Sequence, residues 1–384
     1  MTYQIRSSPL ETARQLAADI ATRADEADRQ GKLPLEDVQA LRESGYLAFS
    51  VPTEYGGAGL TLAECVAAQL ELAQGSGSTA IVAAMPVHLF GNARETRPWP
   101  EQHFERFCRA IVEEGALFNS IASEPVLGSP SRGGRFHTHA VPHADGWCVN
   151  GHKNWSTGGR HLTHLLVGLT VEDDTGVMLV QNNQPGVEWV ETWGDSLSLR
   201  ASDSHDVYFK DVIVPHDALI VRGKGEKQRS PNAWFPMMMA ATYLGVALGA
   251  REVVIRYALE RVPTALGRPI ATLPAIQRQI GEIDLLLQSA RTFLLAVAQE
   301  WRGDEDSRAA LYPRIVAAKH LATEAAISAT EKVMRVAGGS AIAHTLPFER
   351  YFRDTRAGIS HPPSGDTALE IVGQMAIKDI EDGA

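Results

Sequence analysis

His152-Lys-Asn-Trp-Ser-Thr-Gly-Gly159 follows an Asn150-Gly151 dipeptide that stands between two short runs of alternating apolar and polar residues. An Asn-Gly pair in this setting is a strong signal for a β-hairpin, so we expect a strand to leave a tight turn there and to run into a Thr-Gly-Gly loop. Such a segment presents an aromatic ring, two hydroxyls and backbone amides to one flat polar ligand. The stretch therefore predicts a cofactor seat.

Size and composition indicate a globular protein with more than one domain. A chain of 384 residues exceeds the size at which one hydrophobic core usually keeps growing, and 44% hydrophobic with 21% charged residues is ordinary for soluble proteins. Cys65, Cys108 and Cys148 are widely spaced and contain no Cys-x-x-Cys pair. This pattern argues against a disulfide framework and a structural zinc site, and no metal site is predicted.

Charge and hydropathy narrow the class of partner. The formal net charge of −10 opposes unspecific binding to nucleic acid or to an anionic membrane, because phosphate groups are bound by clustered Lys and Arg. No apolar run approaches the roughly 20 residues that span a bilayer, and the first residues lack the basic-then-apolar order of a signal peptide. We therefore expect a cytoplasmic protein without a nucleic-acid or membrane partner.

Residues 1–116 have the pattern of a helical domain. Ser8-Pro-Leu-Glu11 combines a capping hydroxyl, a proline at the first helical position and a glutamate three residues after the cap, which predicts a helix start. A second helix is expected from about Pro34 to Gly45, where glycine favours the left-handed C-terminal position. Helical spacing returns in Leu60 to Gln74 and in Glu101 to Glu114.

Residues 117–229 change to a period of two, which predicts a middle β domain, either a small sandwich or a barrel. The alternating runs are Phe136 to Val141, Trp147 to Val149, Leu165 to Val171, Val177 to Val180, Val187 to Trp193 and His205 to Phe209. Helical spacing resumes in residues 230–384, in the segments Trp234 to Arg261, Pro274 to Trp301, Ala309 to Ala337 and Thr367 to Glu381. Four long helices with short connections predict a four-helix bundle, so the expected class is α+β.

The order helical, β, helical bundle resembles the acyl-CoA dehydrogenase superfamily of flavoproteins over almost the whole chain. Several segments are similar to its signatures and occur in the same order. They are Leu41 to Leu60, Ala122-Ser-Glu-Pro-Val-Leu-Gly-Ser129, Gly151-His-Lys-Asn-Trp-Ser-Thr-Gly158, Ala337-Gly-Gly-Ser340 and Glu349-Arg-Tyr-Phe-Arg-Asp354. The resemblance implies the acyl-CoA dehydrogenase fold and a flavin held mainly between the β domain and the bundle.

The glutamate that serves as the base in the dehydrogenases is missing from this sequence. Counting from Arg353-Asp354 leads to His361-Pro-Pro-Ser364, with a proline at the position of the base. In the less common arrangement the glutamate lies on the first bundle helix, where this chain has Phe235 and Pro236. Neither side chain can accept a proton, and Glu370 lies a helical turn beyond the loop.

These differences resemble the flavin-dependent monooxygenases that share the fold, such as dibenzothiophene and sulfone monooxygenases. That branch implies a catalytic role for His361 of the His-Pro motif, for Ser156 beside the flavin and for His88 in the N-terminal domain. Oxygen bound to reduced flavin as a C4a-hydroperoxide needs a dry pocket and hydrogen bonds, which neutral imidazoles and a hydroxyl can donate without adding permanent charge. An apolar substrate wall is expected from Phe235, Met238 and Met239.

The resemblance also implies residues that hold the cofactor. The two flavin loops supply Ser123, Gly128, Ser129, Trp155, Ser156 and Thr157. Arg261 and Arg268 flank the position at which the family has an arginine on the cofactor's diphosphate, and both remain candidates. Gly338 and Gly339 allow close approach of the backbone to the adenylate half or simply end a helix after Ala337, so FMN and FAD both stay open.

The sequence thus predicts a two-component monooxygenase. A separate reductase supplies reduced flavin, and one oxygen atom goes to an S, N or C centre of a small apolar substrate. No Gly-x-Gly-x-x-Gly fingerprint follows a strand, so direct binding of NAD(P)H is not expected. The alternatives are an acyl-CoA dehydrogenase with a relocated base and a non-catalytic flavoprotein that binds a partner. Family resemblance implies a homotetramer arranged as a dimer of dimers.

Overall fold

The computed structural model describes residues 8–127, 134–223 and 231–383. Its first part is helical, and the predicted helix start is confirmed because the Ser8 hydroxyl accepts a hydrogen bond from the Glu11 amide at 3.3 Å. Gly45, at φ 75°, ends the third helix as expected. The helices are α1 Pro9–Ala21, α2 Ala24–Gln30, α3 Leu35–Ser44, α4 Leu62–Leu72, α5 Gly77–Thr96 and α6 Glu101–Glu114.

Helix α5 has no counterpart among the helices predicted from the sequence. Every residue from Gly77 to His88 is buried, so the helix has no polar face and no hydrophobic period from which it could be recognised. Pro86 inside the helix weakens the signal further, since proline usually ends a helix. A buried helix of this kind becomes evident only from its packing.

Within the described residues the middle part is a single mixed sheet of eight strands. Their order is β6-β7-β3-β2-β4-β5-β8, and β1 pairs in parallel with β4 next to the short parallel contact between β2 and β4. The strands are β1 Phe118–Ile121, β2 His139–His143, β3 Gly146–Ser156, β4 His164–Val171, β5 Asp174–Gln181, β6 Val187–Val190, β7 His205–Val214 and β8 Leu219–Arg222.

The hairpin predicted at Asn150-Gly151 is wrong. Strand β3 runs through this dipeptide, and its pairing with β7 shifts register between Val149 and Gly151, as in a β-bulge. A Cβ atom on Gly151 would lie 2.5 Å from the Cα atom of Thr138, so glycine is required here for the close approach of a neighbouring segment. The turn between β2 and β3 occurs earlier, between the paired residues His143 and Gly146.

The C-terminal part is a bundle of four long helices with one short helix inserted. Within the described residues these are α7 Trp234–Glu260, α8 Pro274–Glu300, α9 Glu305–Ala337, the short α10 Phe348–Asp354 and α11 Gly365–Gly383. Helix α7 is long and apolar enough to cross a membrane, but 72% of its most apolar stretch is buried inside the protein. It packs against α4 and α5 as well as α8 and α9, so it connects the two helical parts.

Several polar contacts join the N-terminal helices to the bundle, and two clusters of them involve buried charges. Glu95 of α5 accepts hydrogen bonds from the indole nitrogens of Trp234 and Trp301 at 2.8 and 3.2 Å and pairs with Arg308 at 3.1 Å. At the other end of the interface the Arg353 guanidinium pairs with the buried carboxylate of Asp28. Both clusters satisfy buried charges, which would otherwise oppose the packing of these surfaces.

The contact between α5 and Trp234 leads to a first prediction. A Cβ atom on Gly91 would lie 2.2 Å from the Trp234 ring, whereas one on Gly281 of α8 would meet no atom within 4 Å. We expect Gly91→Ala to lower the free energy of unfolding by about 1–3 kcal/mol through overpacking. The matched control Gly281→Ala should raise it by up to about 1 kcal/mol, because alanine is the better helix former. Chemical denaturation measures the free energy of unfolding of both variants. Equal changes in the two variants would contradict the close contact between Gly91 and Trp234.

Candidate active site

His88 lies on the buried helix α5, where its imidazole faces the bundle. The side chain is 8% exposed and packs edge-on against the Phe235 ring, with 5.0 Å between the ring centroids. Within the described residues its ring nitrogens form no hydrogen bond. Burial, together with the neighbouring His361, lowers the pKa of His88 to about 3, so the imidazole is neutral.

His361 lies in the loop between the 3₁₀ turn Thr355–Ile359 and helix α11. Its Nδ1 atom forms a short hydrogen bond with the hydroxyl of Tyr243 on α7, and its carbonyl oxygen accepts one from Lys319 Nζ at 2.8 Å. Burial lowers the pKa of His361 to about 4, and the positive charge of Lys319 acts in the same direction. This imidazole is neutral as well.

Phe235, on the first turn of α7, stands next to both histidines. Its ring centroid lies 5.0 Å from that of His88 and 6.1 Å from that of His361. The structure thus brings together three of the predicted site residues, which come from three distant parts of the chain. An aromatic ring between two neutral imidazoles gives an apolar surface that carries proton donors without a net charge.

The predicted cofactor seat lies at the end of β3. Trp155 has a left-handed backbone, at φ 55°, and its side chain is 55% exposed, which is unusual for tryptophan. The side chain of the next residue, Ser156, is buried instead. It is 1% exposed, and its Oγ atom has no hydrogen-bond partner in the described parts of the chain. Asn154 Oδ1 is also buried without a partner. Unpartnered buried polar atoms are rare and indicate a place for a ligand or water.

The residues beside Ser156 in the predicted seat have protein partners for their polar groups. The Thr157 hydroxyl lies 2.9 Å from that of Ser204, and the Thr157 carbonyl accepts a hydrogen bond from Asn119 at 2.9 Å. The carbonyl oxygen of Ser123 accepts a hydrogen bond from the Asn154 amide at 3.1 Å, which places the two predicted flavin loops side by side. Gly128 and Ser129 lie outside the described residues.

A buried ion pair supports the strand beneath the seat. Lys153 Nζ lies 2.7 Å from Glu124 Oε1, with the two side chains 0% and 2% exposed. The same carboxylate accepts backbone hydrogen bonds from His137 and Thr138 at 2.8 and 2.9 Å. Burial lowers the pKa of Lys153 to about 8, opposed by its partner, while for Glu124 the hydrogen bonds outweigh burial and the pKa is lowered.

The segment Ser198–Ser204 connects the seat with the histidine loop. The Gly158 amide donates to the Ser202 carbonyl at 3.0 Å, while the Leu199 amide donates to the Asp354 carboxylate at 2.8 Å. Asp354 lies just before the 3₁₀ turn that leads to His361, and burial raises its pKa to about 6. One segment therefore fixes both halves of the site relative to each other.

The other predicted residues lie in different surroundings. Arg261 and Arg268 are exposed near the C-terminal end of α7, and no Cβ clash would occur at Gly338 or Gly339. Gly338, at φ 61°, follows the last residue of α9 and ends that helix. Met238 and Met239 are fully buried in the core of α7, and nothing in their burial distinguishes a substrate wall from packing. Phe235 is only partly buried.

Two further residues at this site, Tyr243 and Lys319, are absent from the sequence predictions. Nothing in the sequence around Tyr243 signals its contact with His361, since 118 residues separate them. Lys319 does have a signal, because it occupies the buried face of α9 together with Ile315, Ala322 and Ala326. A lysine within an apolar helical stripe is unusual and predicts a specific partner.

A cleft of about 750 Å³ lies elsewhere, between α6 and the sheet, and among the described residues its lining contains none of the predicted site residues. Its arginines, Arg106 and Arg109, are paired with Asp217 and Glu105 at 3.6 and 2.9 Å. The candidate site is therefore the histidine cluster with the neighbouring seat.

Comparison with known proteins agrees with this architecture. Family profiles described as acyl-CoA dehydrogenase N-terminal, middle and C-terminal domains match residues 8–99, 120–212 and 237–363. A putative acyl-CoA dehydrogenase, YdbM of Bacillus subtilis, is 37% identical over 371 residues, covering 96% of both chains. The chain belongs to the acyl-CoA dehydrogenase family. It is a flavoprotein oxidoreductase, as its motifs predicted.

Solved structures similar to this acyl-CoA dehydrogenase family member include proteins named as monooxygenases and a protein named as a dehydrogenase. TdsC of Paenibacillus sp. A11-2, a dibenzothiophene monooxygenase solved with FMN and indole, has a TM-score of 0.85 and 24% identity, covering 97% of this chain and 98% of its own. Butyryl-CoA dehydrogenase from Megasphaera elsdenii has a TM-score of 0.84 and 21% identity, covering 98% and 100%. At these identities the likeness concerns the fold.

The residues at the end of β3 fit a flavin. The exposed Trp155 ring offers an apolar face, while the unpartnered Ser156 Oγ and Asn154 Oδ1 offer polar contacts at its side. A flat ring system with polar edges satisfies both requirements. Trp155, Ser156 and Thr157 would hold this ring, with Ser123 on the adjoining loop.

The two imidazoles predict a dependence of stability on pH. Their pKa values, about 3 for His88 and about 4 for His361, lie below the ordinary 6.5, so the unfolded chain binds protons that the folded chain does not. Stability should fall as the pH drops from about 6.5 towards 4, by about 1.4 kcal/mol per pH unit for each histidine. Chemical denaturation at several pH values measures this slope. His361→Asn should reduce it, the exposed-site control His216→Asn should not, and equal slopes would refute the assignment.

The buried ion pair gives another prediction. Lys153→Met leaves the Glu124 carboxylate buried without its counter-charge and should lower the free energy of unfolding by about 3–5 kcal/mol. The double variant Glu124→Gln with Lys153→Met should recover part of this loss, because no buried charge then remains. Chemical denaturation of the single and double variants tests the pair. If the losses of unfolding free energy in the single variants simply add up in the double variant, the ion pair is contradicted.

Proposed function

We propose that this protein is a flavin-dependent monooxygenase that receives reduced flavin from a separate reductase and transfers one oxygen atom to a small apolar substrate. The observation that carries the proposal is the pair of neutral imidazoles, His88 and His361, on either side of Phe235. An acyl-CoA dehydrogenase would need a carboxylate base in this region. Monooxygenase activity instead needs proton donors in surroundings from which water is excluded.

The hydrogen bonds and the exposure of the neighbouring carboxylates support this proposal. In the described chain no carboxylate forms a hydrogen bond or an ion pair with His88, His361 or Ser156. Glu95 is held by Trp234, Trp301 and Arg308, Asp354 accepts from the Leu199 amide, and Glu370 is exposed on α11. Glu95 and Asp354 are therefore committed to other partners and are not free to abstract a proton from a substrate beside Phe235.

Each residue of the site has a definite part in this proposal. When bound in its reduced form, a flavin supplies the electrons that activate molecular oxygen. Ser156 would donate its hydroxyl proton in a hydrogen bond to the bound ring system, and the imidazoles would donate protons from their ring nitrogens to oxygen. Phe235 limits the access of water to both imidazoles. The substrate is then apolar and small, with an S, N or C centre as the acceptor.

FMN is the flavin that we propose, since it is the flavin bound in the TdsC structure. If FAD binds instead, Arg261 or Arg268 would hold its diphosphate, and Gly338-Gly339 would lie along the adenylate half. Equilibrium binding of FMN and FAD to the wild-type chain and to the Arg261→Ala and Arg268→Ala variants separates the two possibilities. Only FAD binding should weaken in an arginine variant.

A cytoplasmic homotetramer is also proposed. The three cysteines are free, which agrees with a reducing compartment. Helix α11 packs mainly on α9 and leaves Leu369, Ile377 and Ile380 57%, 62% and 74% exposed. A row of exposed apolar residues on the last helix favours contact with a second copy. Sedimentation equilibrium measures the assembly state.

A stopped-flow experiment tests the function. The enzyme with reduced FMN, and separately with reduced FAD, is mixed anaerobically with substrate candidates and then with oxygen. We expect a long-lived absorbance that differs from those of reduced and oxidised flavin. In His361→Asn we expect this absorbance to decay faster, the rate of substrate oxygenation to fall about 100-fold or more, and the oxygen to be released as hydrogen peroxide. Two results would instead favour an acyl-CoA dehydrogenase, the activity in the name of YdbM. They are direct conversion of the reduced flavin to oxidised flavin and bleaching of the oxidised enzyme by an acyl-CoA.

A further inference from the structure

Two residues of the bundle, outside every motif of the sequence, make contact with His361. We propose that Tyr243 and Lys319 are positioning residues for His361: Tyr243 holds the ring with its proton on Nε2, and Lys319 fixes the backbone that carries the ring. The consequence for catalysis rests on the proposed function. The tautomer of the imidazole does not depend on the proposed function, and it can be measured without flavin.

The Tyr243 hydroxyl selects the tautomer of His361. Tyr243 is 0% exposed, and His361 Nδ1 is the hydrogen-bond partner of its hydroxyl within the described residues. Burial raises the pKa of Tyr243 well above its ordinary value, so the hydroxyl keeps its proton. A neutral imidazole has one donor and one acceptor nitrogen. If Nδ1 donated, the buried hydroxyl proton would have no acceptor, so Nδ1 accepts and Nε2 carries the proton.

Lys319 fixes the loop rather than the ring. Its side chain is 2% exposed, and Nζ donates to the carbonyl oxygens of Gly358 and His361, both at 2.8 Å. In the described chain Lys319 has no carboxylate within ion-pair distance. A buried ammonium without a counter-charge is costly, and the two carbonyl contacts offset part of this cost.

Gly358 allows the loop to approach these residues. A Cβ atom at this position would lie 2.8 Å from Thr323 Cγ2 and 2.9 Å from Tyr243 Cδ2, so any side chain would push the loop away from the helices. The Tyr243 ring therefore contacts the same loop that its hydroxyl holds through His361. Ring, hydroxyl and ammonium together hold one loop from two helices, α7 and α9.

This arrangement distinguishes the two histidines. His361 has one ring nitrogen engaged by Tyr243, and its Nε2–H is left as the donor. His88 has no hydrogen-bond partner in the described residues, so neither of its tautomers is selected. A donor that is already oriented has no rotation or tautomer exchange to complete before it transfers a proton.

Nitrogen NMR of the protein without flavin, with ¹⁵N-labelled histidine, tests the structural part. The His361 signals are those that disappear in His361→Asn, and we expect them to report Nε2–H with an unprotonated Nδ1. Tyr243→Phe keeps the ring against Gly358 and should give a mixture of tautomers. Lys319→Met removes the charge and should raise the pKa of His361, whereas Lys319→Arg should not. Signals of the Nδ1–H tautomer, or no change in Tyr243→Phe, would overturn the proposal.

Rapid-mixing kinetics test the catalytic part in the same variants. Tyr243→Phe should slow product formation about 10-fold to 100-fold while flavin affinity stays within about twofold. The controls Tyr312→Phe and Lys332→Met change residues of α9 that, within the described structure, form no hydrogen bond or ion pair with the loop, so they should match the wild type. If the wild type forms no oxygenated product while the NMR result holds, the proposed function fails and the positioning role stands. If product forms equally fast in Tyr243→Phe, the positioning role fails.

Discussion

The packing of α5 against the bundle is the constraint on which the rest of the structure depends. Gly91 lets the Trp234 indole lie directly on α5, and Glu95, one turn further, binds the same indole together with Trp301 and Arg308. This contact sets the first turn of α7 relative to α5. Because Phe235 follows Trp234 and His88 precedes Gly91, the same contact also sets the two rings beside each other.

Burial of polar groups determines the chemistry of the site. Most buried charges near it have partners, such as Lys153 with Glu124 and Arg353 with Asp28, because an unpaired buried charge is costly. The atoms left unpartnered in the described residues include Ser156 Oγ and Asn154 Oδ1 at the predicted cofactor seat. Neutral imidazoles complete the site without requiring counter-charges. Two of the four buried side-chain atoms that have no partner within the described residues therefore lie where a ligand is expected.

Local signals in the sequence predicted those parts of the fold that local interactions stabilise. The Ser8 cap, the Gly45 helix end and most strands have the expected places, since capping, turns and alternating burial are encoded within a few residues. The hairpin at Asn150-Gly151 was wrong because a bulge and a tight hairpin both favour glycine. Helix α5 was missed because burial on all sides removes the period from which a helix is recognised.

The sequence by itself determined the family and the order of the three parts, and it predicted the motif residues Trp155, Ser156 and His361, because short motifs keep their spacing along the chain. Only the tertiary structure decided which side chains surround those residues. His88, Phe235 and His361 come from separate elements, and Tyr243 and Lys319 reach His361 across 118 and 42 residues. No spacing rule covers such separations, because the contacts arise from helix packing and from the desolvation of groups that must then find partners.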